Sequence, residues 1–138
     1  MRRAGWISLS LIAVFVVWGT AHAEQITFKA DLAPGPGIAS SGKGMATASL
    51  DTTTKTLTWT VDYSGLSGPA TAAHIHGPAD PGANAGIVVP FTGNLASPIK
   101  GSATLTDAQI AQLEAGKWYV NIHTAANRGG EIRGQVTK

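Results

Sequence analysis

Between Thr56 and Tyr63 the chain alternates without a break. Leu57, Trp59, Val61 and Tyr63 are apolar, and Thr56, Thr58, Thr60 and Asp62 lie between them. Successive side chains of a strand point to opposite faces, so this order gives one face to a core and the other to water. The same period marks Ile26, Phe28 and Ala30 against Thr27, Lys29 and Asp31, and more weakly Gly44 to Leu50. Further strands are predicted at 71–76, Ile87 to Phe91, Ile99 to Leu105, Trp118 to His123 and Glu131 to Val136, with Pro90 favouring an edge or a strand end. Ala33-Pro-Gly-Pro-Gly37 reads as a loop, Asp51 to Lys55 as a hairpin turn, Gly77 to Gly86 as a rigid loop and Asn127-Arg-Gly-Gly130 as a turn. One helix is predicted over Asp107 to Ala115, with Thr106 as N-cap, Gln109 closing a capping box and Gly116 as the stop. Eight strands and one short helix in a connection predict an all-β fold, an antiparallel Greek-key β-sandwich or flattened barrel.

The first 23 residues are expected to stand apart from that fold. Arg2 and Arg3 precede an apolar run from Trp6 to Trp18, and Ala21-His22-Ala23 follows as a small-x-small cleavage signal. This is the layout of a secretory signal peptide (1–23), and the run is shorter than the roughly 20 residues of a spanning helix. The expectation is a periplasmic or secreted protein, with one domain over 24–138 and no stable membrane anchor after cleavage. Without Arg2 and Arg3, eight of the ten basic residues remain against eight acidic ones, so the domain is neutral and makes no electrostatic case for nucleic acid. The chain has no cysteine, which removes disulfides, thiolate metal sites and cysteine nucleophiles. No serine sits in a nucleophile–base motif.

Three of the four histidines lie in the expected domain: His74 and His76 in Ala73-His-Ile-His-Gly-Pro, and His123 in Val120-Asn-Ile-His. Ile75 takes the core face of its strand, so His74 and His76 take the other. Trp118, Val120 and Ile122 share the core face of theirs, which turns His123, Asn121 and Tyr119 outward. The three imidazoles are therefore either solvent-exposed polar groups or a site on the exterior roofed by loops. Alternate residues of a strand are about 6.6–7 Å apart at Cα, close enough for two imidazoles to converge on an ion if a neighbouring strand supplies the third. Imidazole ligation with an open position suits copper(II) or zinc, and not calcium or magnesium.

Four segments carry a family resemblance: Ala73-His-Ile-His-Gly-Pro-Ala79, Gly86-Ile-Val-Val, Leu113-Glu-Ala-Gly-Lys-Trp-Tyr-Val-Asn-Ile-His-Thr124 and Gly129-Gly-Glu-Ile-Arg-Gly-Gln135. Through them, residues 25–136 resemble the CHRD domain, the module named after chordin. That resemblance implies an extracellular all-β module. A weaker one is to the copper,zinc superoxide dismutase fold, in the order His-x-His, glycine-rich loop, Val-x-x-His, Gly-Gly-x-x-Arg. It implies copper ligation by His74, His76 and His123 and an anion-guiding role for Arg133. The bridging histidine, the zinc-ligand histidine pair and the disulfide of that family are missing here, so the resemblance favours metal binding over catalysis.

Around these histidines, Glu131 and Asp80 are candidates to orient imidazole N–H groups or to lie in solvent, and Arg133 is alternatively a surface ion-pair partner of Glu131 or of a carboxylate on a neighbouring strand. Gly77, Gly86, Gly129 and Gly130 are read as turn positions needing positive φ. Two functions follow from the sequence. One is an exported protein binding one copper ion, or zinc, through three histidines, with dismutase-like redox chemistry as an extension. The other is a metal-free, non-catalytic module for an extracellular protein or polysaccharide, in which the histidines tie down the glycine loop.

Overall fold

The computed structural model describes residues 12–20, 22 and 24–138. Residues 12–20 carry no helix or strand. Arg2, Arg3, Trp6, Ala21 and Ala23, on which the signal-peptide expectation rests, lie outside the described residues. Among the described residues no helix is long and apolar enough to cross a membrane.

The described residues form eight strands in order: β1 (Gln25–Pro34), β2 (Lys43–Asp51), β3 (Thr56–Ser64), β4 (Ala70–His76), β5 (Ile87–Pro90), β6 (Ile99–Thr104), β7 (Tyr119–Thr124) and β8 (Ile132–Gln135). Helix α1 (Asp107–Glu114), the one helix among the described residues, connects β6 to β7. Its predicted start is formed as expected: Thr106 accepts from Gln109 N, the Gln109 side chain accepts from Thr106 N, and Gly116 follows at φ 71°. Leu113 is its buried anchor. The strands hydrogen-bond in the order β5-β4-β7-β8-β1-β2-β3-β6, all antiparallel, as a nearly closed barrel flattened into a sandwich. Consecutive strands such as β3 and β4 are not neighbours, which is the Greek-key expectation.

The alternation in β3 does what the sequence implies: Leu57, Trp59 and Val61 are buried. They meet Phe28 and Leu32 of β1, Ile75 of β4 and Val120 and Ile122 of β7 in one core. Ala33 and Pro34 correct the reading of 33–37 as loop. They extend β1 and pair with Arg133 and Ile132, proline being tolerated as the strand's last residue.

Only Gly130 of the four turn glycines has the expected positive φ, 119°. Gly77 is required for a different reason. A Cβ there would fall 2.3 Å from Trp118 Cδ1 and 2.9 Å from Lys117 O, so the turn after β4 sits directly against the buried indole.

Candidate metal centre

β4 and β7 are neighbours, with Ala72 opposite His123, His74 opposite Asn121 and His76 opposite Tyr119. The parity argument therefore holds, and all three histidines lie on the outer side of one two-strand ribbon. One nitrogen from each comes within 4.8 Å of the others. This outer side is not open to water as a whole: His76, Tyr119 and Asn121 are buried, and His74 and His123 are half-buried. Two loops roof it. The 77–86 loop is held by Gln135 Nε2 donating to Ala79 O (2.9 Å) and by Ala85 N donating to Tyr119 Oη (3.1 Å). The 125–130 turn is held by Asn121 Nδ2 donating to Gly129 O (3.3 Å).

The roof also decides which ring nitrogens are free. His76 Nδ1 lies 2.9 Å from Ala85 O and His123 Nδ1 lies 2.8 Å from Arg128 O. A carbonyl only accepts, so both Nδ1 atoms carry the proton and both Nε2 atoms present a lone pair. His123 Nε2 is 3.2 Å from His74 Nδ1, which fills the donor role in that contact. His76 Nε2 is buried and has no hydrogen-bond partner. The lone pairs left are thus at His76 Nε2 and His123 Nε2, and His74 joins them through Nδ1 once its proton moves to its Nε2. Three nitrogens at 2.0–2.1 Å from one ion in tetrahedral positions lie about 3.4 Å apart, so nitrogens now within 4.8 Å of one another close by up to about 1.4 Å to hold one. A His₃ cluster of this kind can hold a metal ion.

Electrostatics favours the neutral, ligand-competent rings. Burial, then the neighbouring His123 and His76 rings, holds His74 below its usual 6.5. Burial also lowers His76, aided by His123 and Arg133 and opposed by the Ala85 hydrogen bond. The His76 ring stacks on Tyr119 (centroids 5.0 Å apart, planes 5° apart), and Arg133 Cζ lies 3.9 Å from the centre of the same tyrosine ring.

Of the flanking charges, Asp80 lies in solvent, one of its two readings, while Glu131 and Arg133 sit differently from theirs. Asp80 touches no imidazole and is ion-paired with Lys117 on the exposed side of its loop. The carbonyls of Ala85 and Arg128 take the orienting role foreseen for it. Arg133 makes no ion pair with Glu131. Its Nη1 donates to Asn84 Oδ1 and its Nη2 to Ala83 O, both at 2.7 Å, so the guanidinium clamps the 77–86 loop while lending positive charge beside His76.

Glu131 is wholly buried and neither solvated nor in contact with a histidine. Its carboxylate accepts from Ser40 Oγ (2.8 Å), Ser67 N (2.9 Å), Thr124 Oγ1 (2.8 Å), Asn127 Nδ2 (3.0 Å) and Ser67 Oγ. Burial alone would raise its pKa, but the hydrogen bonds from Ser67, Ser40 and Thr124 outweigh it and bring the group from 4.5 to about 2. Sequence reasoning missed Tyr119 as a partner of His76 and loop clamp. The signal was present, since Tyr119 shares the parity of His123.

Residues 27–136 match the family model of the CHRD domain. No curated protein and no solved structure matches the chain.

Proposed function

The chain belongs to the CHRD-domain family, and from that premise we propose that it is an exported protein binding one copper ion, or zinc in its place, through His74, His76 and His123. Export rests on the signal-peptide layout of residues 1–23 and on the occurrence of CHRD domains in secreted or extracellular proteins. The observation that carries the metal reading is His76 Nε2, a buried lone pair with no partner on a ring whose other nitrogen is already committed. An unsatisfied buried polar atom costs about 1–3 kcal/mol, and an ion at the cluster removes that cost. Three neutral imidazoles and no thiolate are a donor set for copper(II) or zinc. Copper at this site would supply one-electron redox chemistry with an open position. The chain's own residues orient the rings, exclude water from His76 and place Arg133 beside it.

The metal-free interaction module keeps one specific observation in its favour: His76 and His123 do pin the two loops through Ala85 and Arg128. Calorimetric titration with copper(II) and zinc(II) separates the two. The wild-type protein is expected to take up one equivalent, and a His74→Ala, His76→Ala, His123→Ala variant to lose at least about a hundredfold in affinity. Equal, weak uptake by both proteins favours the interaction module. A superoxide assay on the copper-loaded protein tests the redox extension, which ends if the rate does not exceed that of the triple variant.

Uptake also carries a pH signature. His74 and His76 have folded pKa values below 6.5, so both rings remain ligands at neutral pH, and protonation competes only as pH falls through those lowered values. Affinity is expected to be flat between about pH 8 and 7 and to decline below about pH 6. Affinity that rises on acidification would exclude imidazole ligation.

A further inference from the structure

The strand order has two free edges, β5 and β6, and together they line a groove of about 300 Å³ at the one interruption in the barrel wall. Trp59 reaches this groove from β3 across its partner Gly101. The indole is 5% exposed, yet its Nε1–H has no hydrogen-bond partner. A Cβ on Gly101 would come within 2.6 Å of the indole ring and 3.0 Å of Nε1. The glycine thus lets the β6 backbone pack directly against the ring, whose Nε1–H is sealed from water beside the groove. The core-facing positions of β6 are Gly101 and Ala103, both half-exposed because neither is large enough to close the wall. A buried donor without an acceptor is uncommon, and here it borders a groove flanked by strand edges.

We propose that this groove takes an extended peptide segment of another protein. The segment adds as a strand beside β6, over the thin wall of Gly101 and Ala103 that Trp59 backs. Edge strands offer a row of backbone donors and acceptors, which selects a peptide backbone. β6 is the pairing edge, because Pro90 removes a backbone donor from β5. Among the described residues, Lys100 is the only charged one lining the groove. Lys100 and Pro90 discourage pairing of two copies of this chain, and Lys100 favours an acidic segment. Apolar side chains at alternate positions of that segment would cover what Gly101 and Ala103 leave open. None of the three histidines enters this assignment, so it stands or falls apart from the metal reading.

The test uses the ¹⁵N-labelled protein and the peptide Ac-Thr-Val-Glu-Val-Thr-NH₂, whose pattern suits either strand direction. The Trp59 indole resonance is identified by its loss in Trp59→Phe. The peptide is expected to shift that resonance saturably and to slow exchange of β6 amides. Replacing its Glu by Lys weakens binding about fivefold, and Lys100→Glu, an exposed change, reverses the order of the two peptides. The proposal is overturned if no saturable shift develops up to about 5 mM. It is equally overturned if chitotriose or maltotriose shifts Trp59 while the peptide does not, which would make the groove a glycan site.

Discussion

Replacing Glu131 with alanine lowers the free energy of unfolding at neutral pH by about 3–5 kcal/mol. The carboxylate is wholly buried and gathers five donors from four parts of the chain: Ser40 between β1 and β2, Ser67 between β3 and β4, Thr124 at the end of β7, and Asn127 in the turn that follows. None of these partners is a cation, so the charge is held by oriented neutral dipoles alone. Alanine leaves the donors facing one another around a void. Glu131→Gln keeps the shape but puts an amide NH2 donor where one of the two acceptor oxygens stood, and is expected to cost about 1–3 kcal/mol.

The pH dependence separates a charge effect from a packing effect. The folded pKa of about 2 lies below the usual 4.5, so the stabilisation is present above pH 4.5 and is lost as pH falls towards 2. Urea titrations between pH 7 and 2 should show that loss in the wild type and a shallower slope in Glu131→Gln. Identical slopes would mean that the carboxylate is not ionised in the fold.

Gly77→Ala is the second large effect, expected to destabilise by about 2–4 kcal/mol and to weaken metal uptake about tenfold or more. The added methyl meets Trp118 Cδ1 at 2.3 Å and the Lys117 carbonyl at 2.9 Å. Neither can retreat. Trp118 is fully buried and donates to Gln112, while Lys117 O accepts from Ala79 N at 2.8 Å. The turn must lift instead, and His76 is its preceding residue. Gly86→Ala is the matched control at the other end of the loop. A Cβ there has nothing within 4 Å, so its effect should stay within about 0.5 kcal/mol. Thermal unfolding and copper titration of the two variants check both halves. Similar behaviour would show that the Gly77–Trp118 contact does not set the turn.

The pair of glycines also marks where sequence reasoning reached its limit. Strand periodicity exposed the fold, because one buried face imposes a period of two whatever lies opposite. It exposed the histidine cluster for the same reason, since parity alone turns His74, His76 and His123 to one side. Parity does not report what covers a face. Gly77 reads as a turn glycine until Trp118 is seen against it. Asp80, Glu131 and Arg133 carry charge at plausible positions in sequence, but their partners lie 37 to 91 residues away or in the folded-back turn after β7. The imidazole-orienting groups proved to be backbone carbonyls, which no residue type announces.

β8 has a bearing on how the molecule is made. It is the last strand in the chain and lies at the middle of the sheet order, between β7 and β1, with Thr137 bridging on to Lys29 just beyond it. The halves β5-β4-β7 and β1-β2-β3-β6 have no other strand to join them. β1 pairs with β2 early in synthesis, but its pairing with β8 joins residues about a hundred apart, a closure of high sequence separation and hence slow. In a chain exported as proposed above, the two halves would therefore be joined only once β8 had crossed.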